Sequence, residues 1–147
     1  YFYPLNLESA KRMDILWATL TGNSFDDFIL SFKGREIRFP FYKDGVGRFD
    51  FFEICGQMLG PGDYLAIVDA VRVLMVDNIP QLSRSNFNEA KRFVTLIDAA
   101  YEAKISLICS AATEPEMLYS EGEGSFEFER TASRLKEMQS KNWLNVI

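Results

Sequence analysis

Arg130 and Arg134 stand four residues apart near the end of the chain. In a helix this spacing places both guanidinium groups on one face, where their repulsion costs about 0.2–0.5 kcal/mol unless an anion relieves it. A phosphate group could supply that anion. Glu127 and Glu137 could also supply it, since each lies three residues from one of the arginines. The pattern predicts either a phosphate-binding face or surface ion pairs, and it favours ion pairs.

Asp77 and Ser110 each follow an apolar run that is typical of a buried strand. P-loop nucleotide-binding folds place a magnesium-linked acid at such a strand end, and related folds place a polar residue that orients water at the end of the next. Asn78 follows Asp77, however, and an amide cannot take up a proton at neutral pH. The simpler interpretation makes Asp77 an acceptor of backbone N–H groups before Pro80 and Ser110 a small residue at a turn. A role in a nucleotide site is the alternative to this simpler interpretation for both residues.

Several catalytic classes lack their essential residues in this sequence. There is no histidine among the 147 residues, which excludes Ser-His-Asp and Cys-His catalysis and zinc sites that need imidazole. Neither G-x-x-x-x-G-K-[ST] nor G-x-G-x-x-G occurs, so the sequence contains no recognisable phosphate-binding loop. Cys55 and Cys109 lack CxxC spacing, which predicts buried, reduced thiols in an intracellular protein. We expect no metal site in this chain.

The composition predicts a packed globule that does not bind nucleic acid. The hydrophobic fraction is 48%, and the chain has 13 Phe, 6 Tyr and 2 Trp, enough large rings to fill a core. A net charge of -5 disfavours broad electrostatic attraction to nucleic acid or to anionic lipid. No apolar run approaches about 20 residues, so we expect no transmembrane segment.

The first part of the chain predicts a helix followed by an antiparallel ribbon. Asn6 and Gly22 are typical of a helix N-cap and a helix C-terminal stop, and Asp50 with Glu53 is a capping signature. The predicted elements are an opening strand at 1–4, a helix at 7–21, strands at 28–32, 36–42 and 46–49, and a short helix ending near residue 56.

The second part predicts a strand, a crossover helix and a second strand. Val71 with residues 73–76 predicts one buried strand, and residues 105–108 predict a second. The amphipathic helix between them, at 86–104, would connect them as a parallel pair. Asp98 on that helix is expected to be partly buried and bonded to an arginine or a backbone amide. The other predicted elements are a helix at 61–69, a capping box at Thr113 and Glu116, a flexible loop at 120–125, an extended segment at 126–128 and a final helix at about 129–140.

The predicted fold class is therefore α/β. A small parallel sheet with crossover helices, similar to half of a P-loop NTPase, is preceded by a helix and a short antiparallel β-ribbon. We expect residues 1–59 and 60–147 to form an N-terminal subdomain and an α/β portion, or one compact domain overall.

Ordered segments along nearly the whole chain carry a family resemblance. They are 1–5 (YFYPL), 34–35 (GR), 47–51 (GRFDF), 60 with 63–65 (G and DYL), 89–101 (EAKRFVTLIDAAY), 118–119 (LY) and 126–140 (FEFERTASRLKEMQS). Together they resemble the C-terminal half of the ZapE family of AAA+-like P-loop ATPases, which occurs in bacteria and has mitochondrial counterparts. The segment 129–135 is also similar to the motif that carries the arginine finger of AAA+ ATPases.

The resemblance implies ATP hydrolysis, with ATP and Mg²⁺ bound in the intact protein and neither held tightly by this region alone. It implies that Arg134, with Arg130, stabilises charge on the phosphoryl group of a neighbouring subunit. It also implies a homo-oligomer, a cell-division partner, and a location in the cytoplasm, at the inner membrane, or in mitochondria for a eukaryotic protein. The family's phosphate-binding loop precedes the matching region, so we expect this chain to be inactive alone.

An interaction module is the alternative function. Aromatic residues are dense between positions 28 and 52, and a contiguous exposed cluster of rings would mark a docking surface for a division or quality-control protein. Phe39, Phe41 and Phe51 are the residues that this hypothesis assigns to docking.

Overall fold

The computed structural model describes residues 1–120 and 125–143, so most of the loop predicted at 120–125 lies outside the described residues. The helices are α1 (Leu7–Thr21), α2 (Phe51–Cys55), α3 (Pro61–Asp69), α4 (Phe87–Ala103) and α5 (Ser125–Met138), with 3₁₀ turns at Arg84–Asn86 and Pro115–Met117. The strands are β1 (Asp26–Phe32), β2 (Arg35–Lys43), β3 (Val46–Asp50), β4 (Val73–Ile79) and β5 (Ser106–Ala111).

The five strands form one sheet in the order β1-β2-β3-β4-β5. The β1/β2 and β2/β3 pairs are antiparallel, whereas the β3/β4 and β4/β5 pairs are parallel. The predicted α/β class, with its leading helix and antiparallel ribbon, is confirmed. β3 and β4 pair directly across the predicted boundary between residues 59 and 60, and the division into two parts stays a prediction.

Helix α1 begins and ends where the sequence predicts. The Asn6 side chain accepts a hydrogen bond from the Ser9 amide, and Gly22 ends the helix in the left-handed conformation at φ 71°. Met13 and Trp17 are buried against Val46, Val73 and Met75, which makes α1 the cover of one sheet face. Leu7, the first residue of the helix, is exposed.

The opposite sheet face carries the main core. Helices α2 to α5 lie over it, and Leu74, Val76 and Cys109 on the strands point towards them. On α5, Ala132, Leu135 and Met138 are buried, and both Trp17 and Trp143 are core residues. No helix in the described ranges has the length and apolar content needed to cross a bilayer.

Strand β2 contains one extra residue near Pro40. Asp26 pairs with Tyr42 and Phe28 pairs with Phe39. The two partners are therefore three residues apart on β2 but two residues apart on β1, which defines a β-bulge. The rings of Phe39 and Tyr42 therefore contact each other on the main-core face, with centroids 5.4 Å apart. Phe41 turns to the α1 face, where its ring centroid lies 5.9 Å from that of Trp17.

Strands β4 and β5 are both longer than predicted. β4 runs to Ile79, so Asp77 and Asn78 lie within it, and Asn78 adopts φ 62° where the pairing with β5 shifts register. β5 runs to Ala111 and includes Ser110. An apolar run underestimates these strands because Asp77, Asn78 and Ser110, near their carboxyl ends, are polar and hydrogen-bond to neighbouring strands.

Three local predictions are wrong. The opening strand at 1–4 is a single bridge between Phe2 and Ser110. The capping box at Thr113 and Glu116 is replaced by a 3₁₀ turn that starts at Pro115 without a side-chain cap. The segment 126–128 is helical, since α5 begins at Ser125.

The two thiols give the fold a predicted dependence on high pH. Cys55 and Cys109 are fully buried, as the sequence predicts, and burial raises the pKa of both, that of Cys109 to about 12. A thiol that stays protonated when folded but ionises when unfolded favours the unfolded state above an ordinary pKa of 9.0. The free energy of unfolding should therefore fall as pH rises from 8 to 10, with roughly 1 kcal/mol of the loss due to Cys109.

Urea unfolding under reducing conditions at pH 8 and pH 10 measures this effect. Cys109→Ala should lose about 1 kcal/mol less than the unchanged chain between the two pH values, whatever its absolute stability. An identical loss in both proteins would contradict the assignment.

Candidate functional site

Arg130 and Arg134 both pair with one carboxylate on the neighbouring helix. Arg134 donates from Nη1 to Oδ1 of Asp98, and Arg130 donates from Nη2 to Oδ2 of Asp98 at 3.2 Å. The expected partial burial of Asp98 and its arginine partner are confirmed. The favoured pairing with Glu127 and Glu137 is wrong, because α4 supplies a closer acid across the helix interface.

Tyr101 completes this cluster, which we call the arginine cluster (Asp98, Tyr101, Arg130, Arg134 and Glu137). The Arg134 guanidinium carbon lies 4.6 Å from the Tyr101 ring centroid, a cation–π contact. The Tyr101 hydroxyl donates to Glu137 at 2.6 Å, and this hydrogen bond raises the pKa of Tyr101. Side-chain exposure is 21% for Arg134 and 63% for Arg130. Arg134 is thus held against α4, while Arg130 reaches solvent.

The helix spacings bring these residues together. Asp98 and Tyr101 are three residues apart on α4, and Arg130 and Arg134 are four apart on α5, so each pair shares one face. The buried residues Ile97 and Leu135 belong to the same core cluster and fix the two helices against each other. The positive charges of the two arginines equal the negative charges of Asp98 and Glu137 in this cluster. This charge balance explains why the arginines can share one surface.

A second polar cluster lies at the carboxyl ends of β3 and β4. Arg48 donates from Nε to Asp77 Oδ2 at 2.7 Å and from Nη2 to Asp77 Oδ1 at 2.9 Å. The Arg48 Nη2 group also donates to Asp14 of α1 at 2.8 Å. Burial opposes the Arg48 charge, but the hydrogen bonds to Asp77 and Asp14 raise its pKa. Both oxygens of Asp77 therefore bind a guanidinium rather than backbone N–H groups.

Asn78 and Ser110 stabilise the register shift beside that ion pair. The backbone N–H of Asn78 donates to the Ser110 hydroxyl at 2.8 Å. The side-chain amide of Asn78 donates to Asp50 Oδ1 at 2.8 Å. Ser110 is buried at 2% exposure, within a strand rather than at a turn. Its hydroxyl thus serves a backbone amide that the β4/β5 pairing leaves without a strand partner.

The predicted site residues divide between the two sheet faces. Asp77 lies with Arg48 on the α1 face, whereas α5 packs on the main-core face. The structure brings Arg130 and Arg134 together, and it places Asp77 near Ser110 through Asn78, but it does not unite the two pairs. Arg48 was not among the predicted site residues, although its motif Gly47-Arg48-Phe49-Asp50 was part of the family resemblance.

The described residues do not form a ready magnesium site. Within ranges 1–120 and 125–143, no group of three or more Cys, Asp or Glu side chains is arranged to hold a metal ion. Asp77, the sequence candidate, already accepts two hydrogen bonds from Arg48. The donor set in this part of the chain therefore does not fit Mg²⁺ as it stands.

Comparison with known proteins identifies related sequences. Residues 1–146 match the family described as AFG1-like ATPase. The chain is 30% identical over 142 residues to "Cell division protein ZapE" of Escherichia coli (strain K12), which covers 96% of this chain and 38% of that protein. It is 27% identical over 177 residues to "Uncharacterized protein C115.02c" of Schizosaccharomyces pombe, covering 99% of this chain and 39% of that protein.

A vertebrate sequence is also similar. "Lactation elevated protein 1 homolog B" of Danio rerio is 31% identical over 110 residues, which is 75% of this chain and 22% of that protein. The chain thus spans well under half the length of these curated relatives. No solved structure matches it significantly.

The Arg48–Asp77 pair should contribute strongly to stability. Their side chains are 15% and 16% exposed, so Arg48→Ala would leave a largely buried carboxylate without its partner and cost roughly 2–3 kcal/mol. Arg38→Ala on the adjacent strand is the matched control, because its pair with Asp27 is 3.8 Å long and mostly exposed, worth less than about 1 kcal/mol.

Urea unfolding of the single variants and of Arg48→Ala combined with Asp77→Asn tests the pair. The double variant should be more stable than the sum of the single losses implies, by about 1–2 kcal/mol. Additive losses would contradict a direct interaction.

Proposed function

This chain belongs to the AFG1-like ATPase family, and we propose that it forms the C-terminal region of an ATP-hydrolysing protein of the AAA+ P-loop type. ATP and Mg²⁺ are then bound mainly by other parts of the intact protein, because these 147 residues contain no phosphate-binding loop. The region contributes an arginine to a neighbouring subunit of a homo-oligomer. The chain alone is inactive in this proposal.

The arginine cluster is the observation that supports this role. Arg134 lies in the segment that is similar to an arginine-finger motif, and its side chain is oriented by Asp98 and Tyr101. Arg130 lies one turn earlier on the same face and is 63% exposed. Two preoriented guanidinium groups at a helix surface fit the equatorial oxygens of a transferring phosphoryl group.

Asp98 has a defined part in the proposed mechanism. For Arg134 to reach a phosphate on a neighbouring subunit, it must exchange its Asp98 contact for the anion. Because the guanidinium is charged in both states and remains bonded to an anionic oxygen, one charge-assisted hydrogen bond replaces another. The neighbouring nucleotide would thus compete with Asp98 for the same cation, while Arg130 provides the first contact from solvent.

The wider role follows from the relatives and is part of the same proposal. The Escherichia coli relative is named as a cell-division protein. We extend to this chain a role in bacterial division, in the cytoplasm or peripherally at the inner membrane with a division protein as partner, or a mitochondrial role in a eukaryote.

Arg134→Ala in the intact, assembled protein should lower ATP turnover by about 10³-fold while ATP affinity changes by less than about threefold, because an arginine finger acts on the transition state. Lys136→Ala is the matched control, since Lys136 lies on the same helix and is 61% exposed. Arg130→Ala shows whether the exposed arginine shares the role. Thermal unfolding first shows that each variant is folded. ATP turnover and ATP affinity are then measured for each variant.

Mixing two inactive subunits tests action in trans. Arg134→Ala subunits should regain turnover when mixed with subunits whose phosphate-binding loop is disabled, since each then supplies what the other lacks. Undiminished turnover of Arg134→Ala would reject the role, and failure of mixing to restore activity would reject the trans arrangement.

We propose docking of a protein partner as a second function, supported by one observation. Phe25 and Phe41 are exposed, and their ring centroids lie 5.1 Å apart on the α1 face. Phe39 and Phe51, which the sequence assigned to docking, are buried core residues at 2% and 0% exposure. The docking hypothesis therefore rests on Phe41 together with Phe25.

Phe25→Ser with Phe41→Ser in the intact protein should reduce capture of a purified partner by at least tenfold, because the rings supply apolar contact area. Leu65→Ser is the control, since Leu65 is similarly exposed but lies on α3. Equal capture by the double variant, shown to be folded by circular dichroism, would count against docking at this surface.

A further inference from the structure

Helix α1 leaves part of its sheet face uncovered. It packs over β4 and β5, whereas the antiparallel ribbon on the same face has no helix above it among the described elements. Phe25, Ile29 and Phe41 are 55%, 42% and 41% exposed. The rings of Phe25 and Phe41 line the ribbon side of a surface that begins at Trp17 of α1.

Two adjoining cavities lie along this surface, and we call them together the α1 groove. The apolar cavity, about 660 Å³, is lined by Ile15, Trp17, Ala18, Asn23 and Phe25, together with Asp14, Phe41 and Arg48. The acidic cavity, about 330 Å³, shares Asp14, Phe41 and Arg48 with it and continues past Asp50, Glu53, Asp77 and Asn78. The shared residues make one groove that changes from apolar to acidic along its length.

The charge of the acidic cavity is unbalanced. Four carboxylates line it, from Asp14, Asp50, Glu53 and Asp77, against the single guanidinium of Arg48. Arg48 and Asp77 are 15% and 16% exposed and bind each other, and Arg48 also donates to Asp14 Oδ1 at 2.8 Å, but the Asp14 side chain is still 73% exposed. Glu53 is exposed as well. The carboxylates that an incoming group would meet are therefore those of Asp14 and Glu53.

Other charges near the groove offset only part of this excess, since Lys11 lies three residues before Asp14 on α1 and can balance one carboxylate. Arg38, on the ribbon, pairs with Asp27. Arg12, on the preceding turn of α1, pairs with Glu8 and lies over the Phe2 ring. The chain as a whole carries a net charge of -5. An acidic segment or an anionic membrane would be repelled here, whereas a cationic group would be attracted.

From these observations we propose that the α1 groove binds a segment of a partner protein in which apolar or aromatic side chains are followed by lysine or arginine. The apolar side chains fill the cavity at Trp17, Phe25 and Phe41, and the cationic residue pairs with Asp14 and Glu53. This inference rests on the proposed docking function and specifies the chemistry of the partner. The apolar cavity supplies contact area, and the acidic cavity fixes the direction in which the segment lies.

Three fluorescein-labelled synthetic peptides of equal length test the proposal with the purified chain. The first has leucine and tryptophan followed by lysine and arginine, the second replaces the cationic residues with glutamate, and the third replaces the apolar residues with serine. Fluorescence anisotropy should show binding of the first peptide at least tenfold tighter than either of the others at low salt. Raising the salt concentration should reduce the difference in affinity between the first and second peptides.

Groove variants locate the binding. Phe41→Ser should weaken binding of the first peptide about tenfold. Phe25→Ser is a second variant, to be used if Phe41→Ser does not fold. Asp14→Asn with Glu53→Gln should weaken binding of the first peptide by a similar factor. The glutamine can still accept the hydrogen bond that the backbone N–H of Asp50 donates to Glu53. Asp69→Asn with Glu102→Gln removes two exposed carboxylates on α3 and α4 and should have no effect.

The outcomes separate this inference from the docking function. If the second peptide binds as tightly as the first, or if the Asp14 and Glu53 variant binds the first peptide unchanged, the cationic partner is rejected. Weaker binding of the first peptide to the Phe41→Ser variant but not to the Asp14 and Glu53 variant would retain docking and reject the cationic chemistry. Unchanged binding of all peptides and partners to the Phe41 and Phe25 variants would reject both.

Discussion

β3 is hydrogen-bonded along both of its edges, antiparallel to β2 and parallel to β4. This shared strand joins the ribbon to the α/β half of the chain. Gly47, its second residue, is required because a Cβ there would lie 2.9 Å from the Phe39 ring. Arg48, the next residue, points to the other face and binds Asp77 on β4. One strand thus anchors the ribbon by backbone pairing, by ring packing and by an ion pair, and the α1 groove depends on that attachment.

The sequence predicts the elements better than it predicts their partners. Helix α1, the β1/β2 hairpin and the strand–helix–strand unit follow from caps, turns and periodicity, which are local signals. The ends of β4 and β5 were missed, because polar residues such as Asn78 and Ser110 extend strands through hydrogen bonds to distant residues. The start of α5 was also missed, since the aromatic residues at its beginning suit a strand as well as a helix.

The candidate site shows the same division between local and long-range information. The i,i+4 spacing of Arg130 and Arg134 gave their shared helix face, and the position of Asp98 beside an apolar stripe gave its partial burial. That Asp98 is the acid between both arginines depends on how α4 and α5 pack, which neither helix encodes alone. Arg48 carried no local signal of its role, because its partners lie on β4 and α1, far away in sequence.

The extra residue near Pro40 divides β2 into two stretches whose odd-numbered residues face opposite sides of the sheet. Before it, Ile37 and Phe39 fill the main core, where a change of volume disturbs many neighbours. After it, Phe41 lies on the opposite face, 41% exposed and in contact with the rings of Trp17 and Phe25. A single inserted residue therefore lets one strand supply an aromatic ring to the interior and, two positions later, another to the outer surface.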